Sequence, residues 1–339
     1  MLTTAVPRTL GASVAFLAIV ALPGCGREDL VSAVGPNDEI SVFTNTPPGG
    51  PVAREIARIY GYEVEVVGRE PSFYPELVPY VRFDGHKHVK NQIFAVDLSG
   101  DDRLARDMPG IVKRVDAGKL RTREPFRLMV RDLWAFGQTT LIAAAWSGED
   151  LLRLLAESDS ASLRFQFETA VAENLPRTMF AMGEDRSLPA RLAREFGWTM
   201  RLLPGFLATS DRDKNVVKLN APDPVRLVFV HWVDGAVPLE ESSWSGTLER
   251  LLDVYNDGDY VLADRTDARS THFQGEPAVR WEGVWQNDKY VMGGPFRAYA
   301  FQRGGRSFLL VGLVFAPGHE KVPILRQLEG LFRTFRPVT

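Results

Sequence analysis

The sequence predicts an α+β fold, with mixed and antiparallel sheets packed against helices. Short β-rich segments recur along the chain, from Glu39–Thr44 to Val225–Val233, some of them alternating in polarity, as Tyr62–Val66 does. Between them lie stretches with apolar residues at helical spacing, and the sequence closes on a strongly amphipathic helix. At 45% hydrophobic and a net charge of −3, the composition is that of a globular chain able to bury a substantial core.

Taken in order, the chain opens on an uncharged run, Leu10 to Leu22, preceded by Arg8. The run is shorter than the ~20 helical residues a bilayer crossing takes, and it has the form of a secretory signal. It ends in Leu22-Pro23-Gly24-Cys25, which resembles the bacterial lipobox, where the cysteine is acylated and becomes the first residue. Residues 1–24 are therefore expected to be a lipoprotein signal peptide and Cys25 the lipidation position. Cys25 is the single cysteine, so neither an intramolecular disulfide nor a cysteine zinc site is available. Gly26 after it leans towards the periplasmic face of the outer membrane.

Residues 25–38 are polar and without pattern and read as a tether. Glu39–Thr44 is a strand, and Val52–Tyr60 a helix closed by Gly61 as a left-handed cap. Tyr62–Val66 alternates as a half-buried strand, and Val89–Leu98 is a second clear strand. Asp101–Asp116 predicts a helix interrupted at Pro109, and Phe126–Trp146 is apolar and β-rich in its second half. Ser147 with Asp150 has the form of a capping box and opens helix running to about Met182.

Leu188–Phe196 then repeats the helix–Gly–strand pattern of Ile56–Tyr62: Gly197 stands for Gly61 and Trp198 for Tyr62. Trp198–Leu203 reads as a strand. The chain thus divides into residues 39–182 and 183–339, either as two similar halves from an internal duplication or as one compact unit in which such a pattern recurs by chance. In the last helix Ile324, Leu325, Leu328, Leu331, Phe332 and Phe335 share one stripe, with Arg326, Gln327, Glu329 and Arg333 off it and Pro323 in the first turn.

One stretch carries a family resemblance. Gly283-Val284-Trp285, a polar link, and Met292-Gly293-Gly294-Pro295-Phe296 are similar to the pattern of a bacterial lipoprotein family, domain of unknown function forty-eight thirty-seven. Weaker matches run from Gly35-Pro36 through Glu70-Pro71, Lys90-Asn91, Trp134 and Gln138 to Val314–Pro317. The Gly-Leu-Pro run expected before Glu70 is replaced by Val67-Gly68-Arg69, which marks a divergent member. The resemblance implies no activity. In physical terms the stretch is either a structural turn between two strands or a ligand surface. In the second case Trp281, Trp285, Met292, Gly293, Gly294, Pro295 and Phe296 would form the binding face.

Metal and catalytic signatures are sparse. His86 and His88 would point the same way in a strand, a two-histidine metal half-site. Asp253–Asp264 has an Asp-Gly placed as in a calcium loop, but Tyr255 stands at a ligand position and Asp264 where a bidentate Glu is needed, so it reads as a helix end and turn. No nucleophile elbow, phosphate loop or dinucleotide fingerprint occurs, no cofactor is implied, and the mildly acidic chain lacks the basic patches of a nucleic-acid binder.

These observations favour a lipid-anchored, non-enzymatic binding or scaffolding module of the bacterial cell envelope. Its partners would be the membrane, through the anchor, and an envelope protein or the cell wall. The alternatives are an anchored hydrolase of cell-wall glycan or peptide, for which Glu70, Glu282 and Asp288 are the candidate acids, and capture of a lipid or small ligand between the two halves.

Overall fold

The computed structural model describes residues 19–21, 30–156, 160–181 and 183–338 of the chain. Cys25, the expected lipidation position, lies outside them. The fold is α+β, with two main sheets of different construction.

The first half begins with β1 (Ile19–Ala21), β2 (Glu39–Thr44), α1 (Pro51–Tyr60), the short hairpin β3 (Glu63–Glu65) and β4 (Arg69–Pro71), and β5 (Tyr74–Leu77). It continues through α2 (Phe83–His86), β6 (Asn91–Asp97), α3 (Arg103–Asp116), β7 (Phe126–Arg131), β8 (Thr139–Ala145), α4 (Gly148–Ala156) and α5 (Ser160–Thr178). Its sheet has the order β1-β7-β8-β6-β2-β5 and is parallel except where β7 meets β8. Buried on both faces, the central strands are continuously apolar, as parallel strands covered by helices must be. Ile93 and Ala95 face α1, α4 and α5, while Phe94 and Val96 face α3. Ser147 caps α4 as expected: its Oγ accepts from the Asp150 N–H at 3.0 Å and donates to the Asp150 carboxylate at 2.8 Å.

The second half holds α6 (Ser187–Phe196), β9 (Trp198–Thr199), β10 (Leu207–Asp211), β11 (Val216–Pro222), β12 (Val225–Asp234) and α7 (Glu241–Tyr255). It ends with β13 (Tyr260–Phe273), β14 (Glu276–Asn287), β15 (Met292–Arg303), β16 (Arg306–Phe315), α8 (Val322–Phe332) and β17 (Arg336–Pro337). Its seven-stranded sheet, β10-β11-β12-β16-β15-β14-β13, is antiparallel throughout. α7 packs on one face through Trp244, Leu248 and Leu251, and α8 on the other through Leu325, Leu328 and Phe332. Among the described residues no helix is long and apolar enough to cross a membrane.

Several expectations need correction. The two halves are not copies, because one sheet is largely parallel and the other antiparallel, with different strand orders. Even the matching helix–Gly–strand units differ: Gly197 is left-handed at φ +70°, whereas Gly61 sits at φ −89°. Gly61 is needed for space instead, since a Cβ there would lie 2.7 Å from the Ala57 carbonyl. α3 runs unbroken through Pro109. The strand expected over Trp198–Leu203 forms a ladder only at its first two residues, which pair with β17, while Leu202 makes a lone bridge to Asp185. The tether docks from Val31 onward: the Ala33 N–H donates to Phe136 O, and the Val34 N–H to His88 O. Lys90 and Asn91 hold the next residues through Asn37. β1 belongs to the segment expected to be removed as a signal, and its backbone runs parallel to β7 at the sheet edge.

The largest departure concerns α8. Its apolar stripe is placed as the spacing predicts, but Arg326 and Glu329, on the other face, are 8% and 2% exposed. The first half covers them: α5 lies against α8, and a Cβ on Gly330 would come within 2.9 Å of Met179 Sδ and 3.1 Å of Leu175. α8 is therefore a middle layer, packed on the antiparallel sheet on one side and on the first half on the other.

Candidate functional site

The Gly283–Phe296 stretch forms the hairpin β14–β15, in which Trp285 pairs with Gly294 and Gly283 with Phe296. Trp281, Trp285 and Phe296 are all buried against α7. The glycines make room for them. A Cβ on Gly294 would lie 1.8 Å from Val314 O and 3.1 Å from the Trp285 indole nitrogen. The reason is visible in the register. The β15–β16 ladder ends at Phe296 and Leu313; one step further, Pro295 has no N–H to give to Val314. The Trp285 indole crosses Gly294 and donates to that carbonyl at 3.3 Å. Gly283 has a similar role, since the backbone carbonyl of Arg265 would lie 2.5 Å from a Cβ there. Tryptophan, glycines and proline thus form one packing unit, and stacking of a ligand on exposed rings is not open to it.

What the hairpin leaves exposed is its end. The β13–β14 register breaks between Val261 and Thr266, so residues 262–265 bulge opposite Val284. Between this bulge, the hairpin tip and the loop after β3 lies a groove of about 480 Å³. Its lining is mainly apolar: Val67, Leu262, Val284, Val291 and Met292, with Gly293 and the edge of Trp285. Arg265 closes one side by pairing with Glu65 at 2.7 Å. Asp288 stands at the other, accepting from Tyr260 and Gln286. Val291 is 90% exposed at φ +52°. A β-branched residue in the left-handed region carries steric strain of order 1–2 kcal/mol, so two local preferences are broken at one position.

The candidate acids are not assembled as a catalytic pair. Glu70 caps α8, accepting the Lys321 and Val322 N–H groups at 2.7 and 2.9 Å. Glu282 is the centre of an arginine cluster, with Arg269 at 2.8 Å, Arg297 at 3.1 Å and Arg280 in close contact. Burial alone would raise its pKa, but the charges of Arg280, Arg297 and Arg269 outweigh burial and hold it at about 2. Asp288 stays at the surface with Tyr260 and Gln286.

The arginine cluster continues inward. Glu329 accepts from Tyr299 at 2.9 Å and pairs with Arg333 at 2.7 Å. Arg297 lies between Glu282 and Glu329. Arg326 donates to Ser72 of the first half, whose hydroxyl in turn donates to Glu168 at 2.9 Å. This seam of buried charge is the feature sequence reading missed. Its one sequence signal was the arginine and glutamate content of the polar face of α8.

The histidine pair does not form either. His86 ends α2 and His88 lies in the turn after it. Gln92 and Gln138 hold that turn by donating to the His86, Lys87 and Val89 carbonyls. His86 Nδ1 lies 3.2 Å from Ser41 Oγ. Among the described residues no group of three or more His, Cys, Asp or Glu is placed to hold a metal. In the calcium-like segment, Asp259 is buried against Asn287 at 2.6 Å and Asp257 pairs with Lys289 at 2.7 Å.

Fold and groove together define a two-sheet α+β module joined through its C-terminal helix. Residues 257–334 match the model of the family described as Domain of unknown function (DUF4837). The resemblance carried by Met292–Phe296 is shown over this segment, which runs from the turn before β13 through α8. No curated protein matches the chain. Among solved structures it is similar to a crystal structure from Bacteroides thetaiotaomicron VPI-5482, at 10% identity and a TM-score of 0.27, over 42% of this chain and 46% of that one. It is also similar to the solution structure of cyanobacterial PsbP (CyanoP) from Synechocystis sp. PCC 6803, at 11% and 0.29, over 42% and 88%. A third similarity is to LpqN, described as involved in cell envelope biogenesis of Mycobacterium tuberculosis, at 9% and 0.25, over 41% and 83%. The chain spans less than half the length of the first of these.

Proposed function

We propose that this protein is a lipid-anchored binding module of the bacterial cell envelope, tethered at Cys25, which holds an apolar polypeptide segment of an envelope partner in the groove at the β14–β15 tip. The observation that carries the reading is Val291, a large apolar side chain kept exposed in a strained backbone conformation at the rim of an apolar groove. Strain of this kind persists where it serves a use that packing does not explain. The interrupted β13 ladder adds a second support, since residues 262–265 are free of strand pairing beside the groove floor. The three candidate acids are engaged in capping, ion pairing and surface hydrogen bonds, which favours binding over hydrolysis.

Two experiments test the two parts. Palmitate labelling of the full chain is expected to be abolished by Cys25→Ser; label retained in that variant removes the anchor. Photo-crosslinkers at Val291 and Val67 in intact cells should yield the same discrete protein adduct, mapped by mass spectrometry to an apolar segment. A crosslinker at Val81, exposed elsewhere on the first half, should not. Adducts to lipid, or the same products from all three positions, overturn the groove as a polypeptide site.

A further inference from the structure

The chain between the expected lipid and the fold is short, and its far end is pinned. Residues 26–30 are all that separates Cys25 from Val31. At ~3.5 Å per residue, that stretch reaches at most ~20 Å. From Val31 on, the backbone is fastened to the first half. The Phe136 N–H donates to Val31 O and the Ala33 N–H to Phe136 O, each at 2.8 Å. The Val34 N–H donates to His88 O at 2.9 Å, and the Lys90 N–H to Val34 O at 3.0 Å. Ala33 is buried between these bonds.

Held this way, the segment turns its two valines outward: Val31 is 54% and Val34 58% exposed. Ser32, Gly35 and Pro36 are exposed as well, and residues 30–36 contain no charged side chain. Single exposed apolar residues are ordinary on a protein surface. Here two of them stand in a charge-free run, on pinned backbone, where the lipid-bearing end arrives. The charges around it are mixed. His88 and the half-buried Lys87 lie near exposed Asp84 and Glu39, Lys90 is held by Asn37, and Arg177 pairs with Asp132 beside Phe136. Without a cationic excess, what this surface offers a bilayer is apolar contact.

We propose that this end of the first half rests on the bilayer that holds Cys25, with Val31 and Val34 seated at the boundary of headgroups and acyl chains. The proposal rests on the anchoring reading above and adds the surface that faces the lipid. The β14–β15 groove plays no part in it.

The test uses the lipidated full chain in phosphatidylcholine liposomes. Acylation consumes Cys25, the single cysteine, so Val34→Cys supplies the one free thiol for an environment-sensitive fluorophore. A nitroxide carried on the lipid headgroup should remove most of the emission at position 34. It should leave unquenched the same label at Val254→Cys, on the exposed side of α7, which α8 and the antiparallel sheet separate from the first half. Adding phosphatidylglycerol should change neither result. With the label moved to Ser32→Cys, the double substitution Val31→Asp, Val34→Asp should restore most of the emission. Palmitate label and flotation with the liposomes are read on the same samples. Full emission at position 34 in a protein that carries palmitate and floats overturns the surface and leaves the anchor standing. A protein without palmitate removes the anchor and this surface with it. Equal quenching at positions 34 and 254, quenching that needs phosphatidylglycerol, or a signal indifferent to the two aspartates also overturns the proposal.

Discussion

At Gly294 a single missing methyl group sets the geometry of the hairpin. Gly294→Ala would place Cβ 1.8 Å from Val314 O, a contact with backbone that cannot move aside. We expect a loss of about 3 kcal/mol, the upper end for overpacking, read as a lowered urea midpoint at unchanged m. Gly246 is the matched control: it lies in α7 with open space around its Cα. Gly246→Ala should stabilise by ~0.5–1 kcal/mol through helix propensity. Val291 behaves in the opposite sense to Gly294. Val291→Asn relieves a left-handed valine and is expected to raise stability by about 1 kcal/mol while weakening the crosslink at Val67. Destabilisation by Val291→Asn would mean that the valine packs rather than waits for a partner. The Met292–Phe296 motif was legible as a motif from the sequence alone. Its physical reason was not, because it depends on Pro295 standing opposite Val314 across a register that only the folded sheet sets.

Among the elements, α4 and α8 mark what periodicity can and cannot reveal. The capping box of α4 is local, so Ser147 and Asp150 could be read directly. Ser147→Ala should cost ~1 kcal/mol, measured by chemical denaturation. The apolar stripe of α8 was equally readable, and Leu328→Ala, at a fully buried position between sheet and helix, should cost about 3–4 kcal/mol. The second face of α8 was not readable. Polar residues off a stripe signal solvent when nothing else covers them, and what covers Arg326 and Glu329 is α5 and the Ser72 turn, far away in sequence. The same limit explains the histidines. Alternation over His86–His88 suggests a strand, whereas Gln92 of β6 and Gln138, just before β8, fold that segment into a turn.

For the molecule as a whole, the seam ties stability to pH. Glu282 is held at about 2, and Glu329 below the ordinary carboxylate range because Arg333, Arg297 and Arg280 outweigh its burial. A carboxyl whose pKa is depressed on folding contributes its stability above the unfolded value, near 4.5, and loses it as pH falls towards the folded value. The seam's contribution to stability should therefore be level above about pH 5 and fall steeply from there towards pH 2. Glu282 accounts for up to about 3 kcal/mol of that fall. Glu282→Gln should be less stable at pH 7 and show a shallower acid limb; an unchanged acid limb would mean that Glu282 titrates alike in the folded and unfolded chain. The α+β class and most element positions were recoverable from patterning. The joint between the halves was not, since charge complementarity across a buried surface has no period along the chain.

The position of α8 in the sequence has a temporal consequence. The chain is made from its N-terminus, and the helix that fills the space between the two sheets comes from residues 322–332. Until those residues are available, Ser72 and the side of α5 turned to α8 lack their partner, and the part of the antiparallel sheet under Leu325, Leu328 and Phe332 stays uncovered. Assembly of the halves thus waits for residues 322–332. A product interrupted before Val322 would present apolar surface from both halves at once, a state open to proteolysis and aggregation.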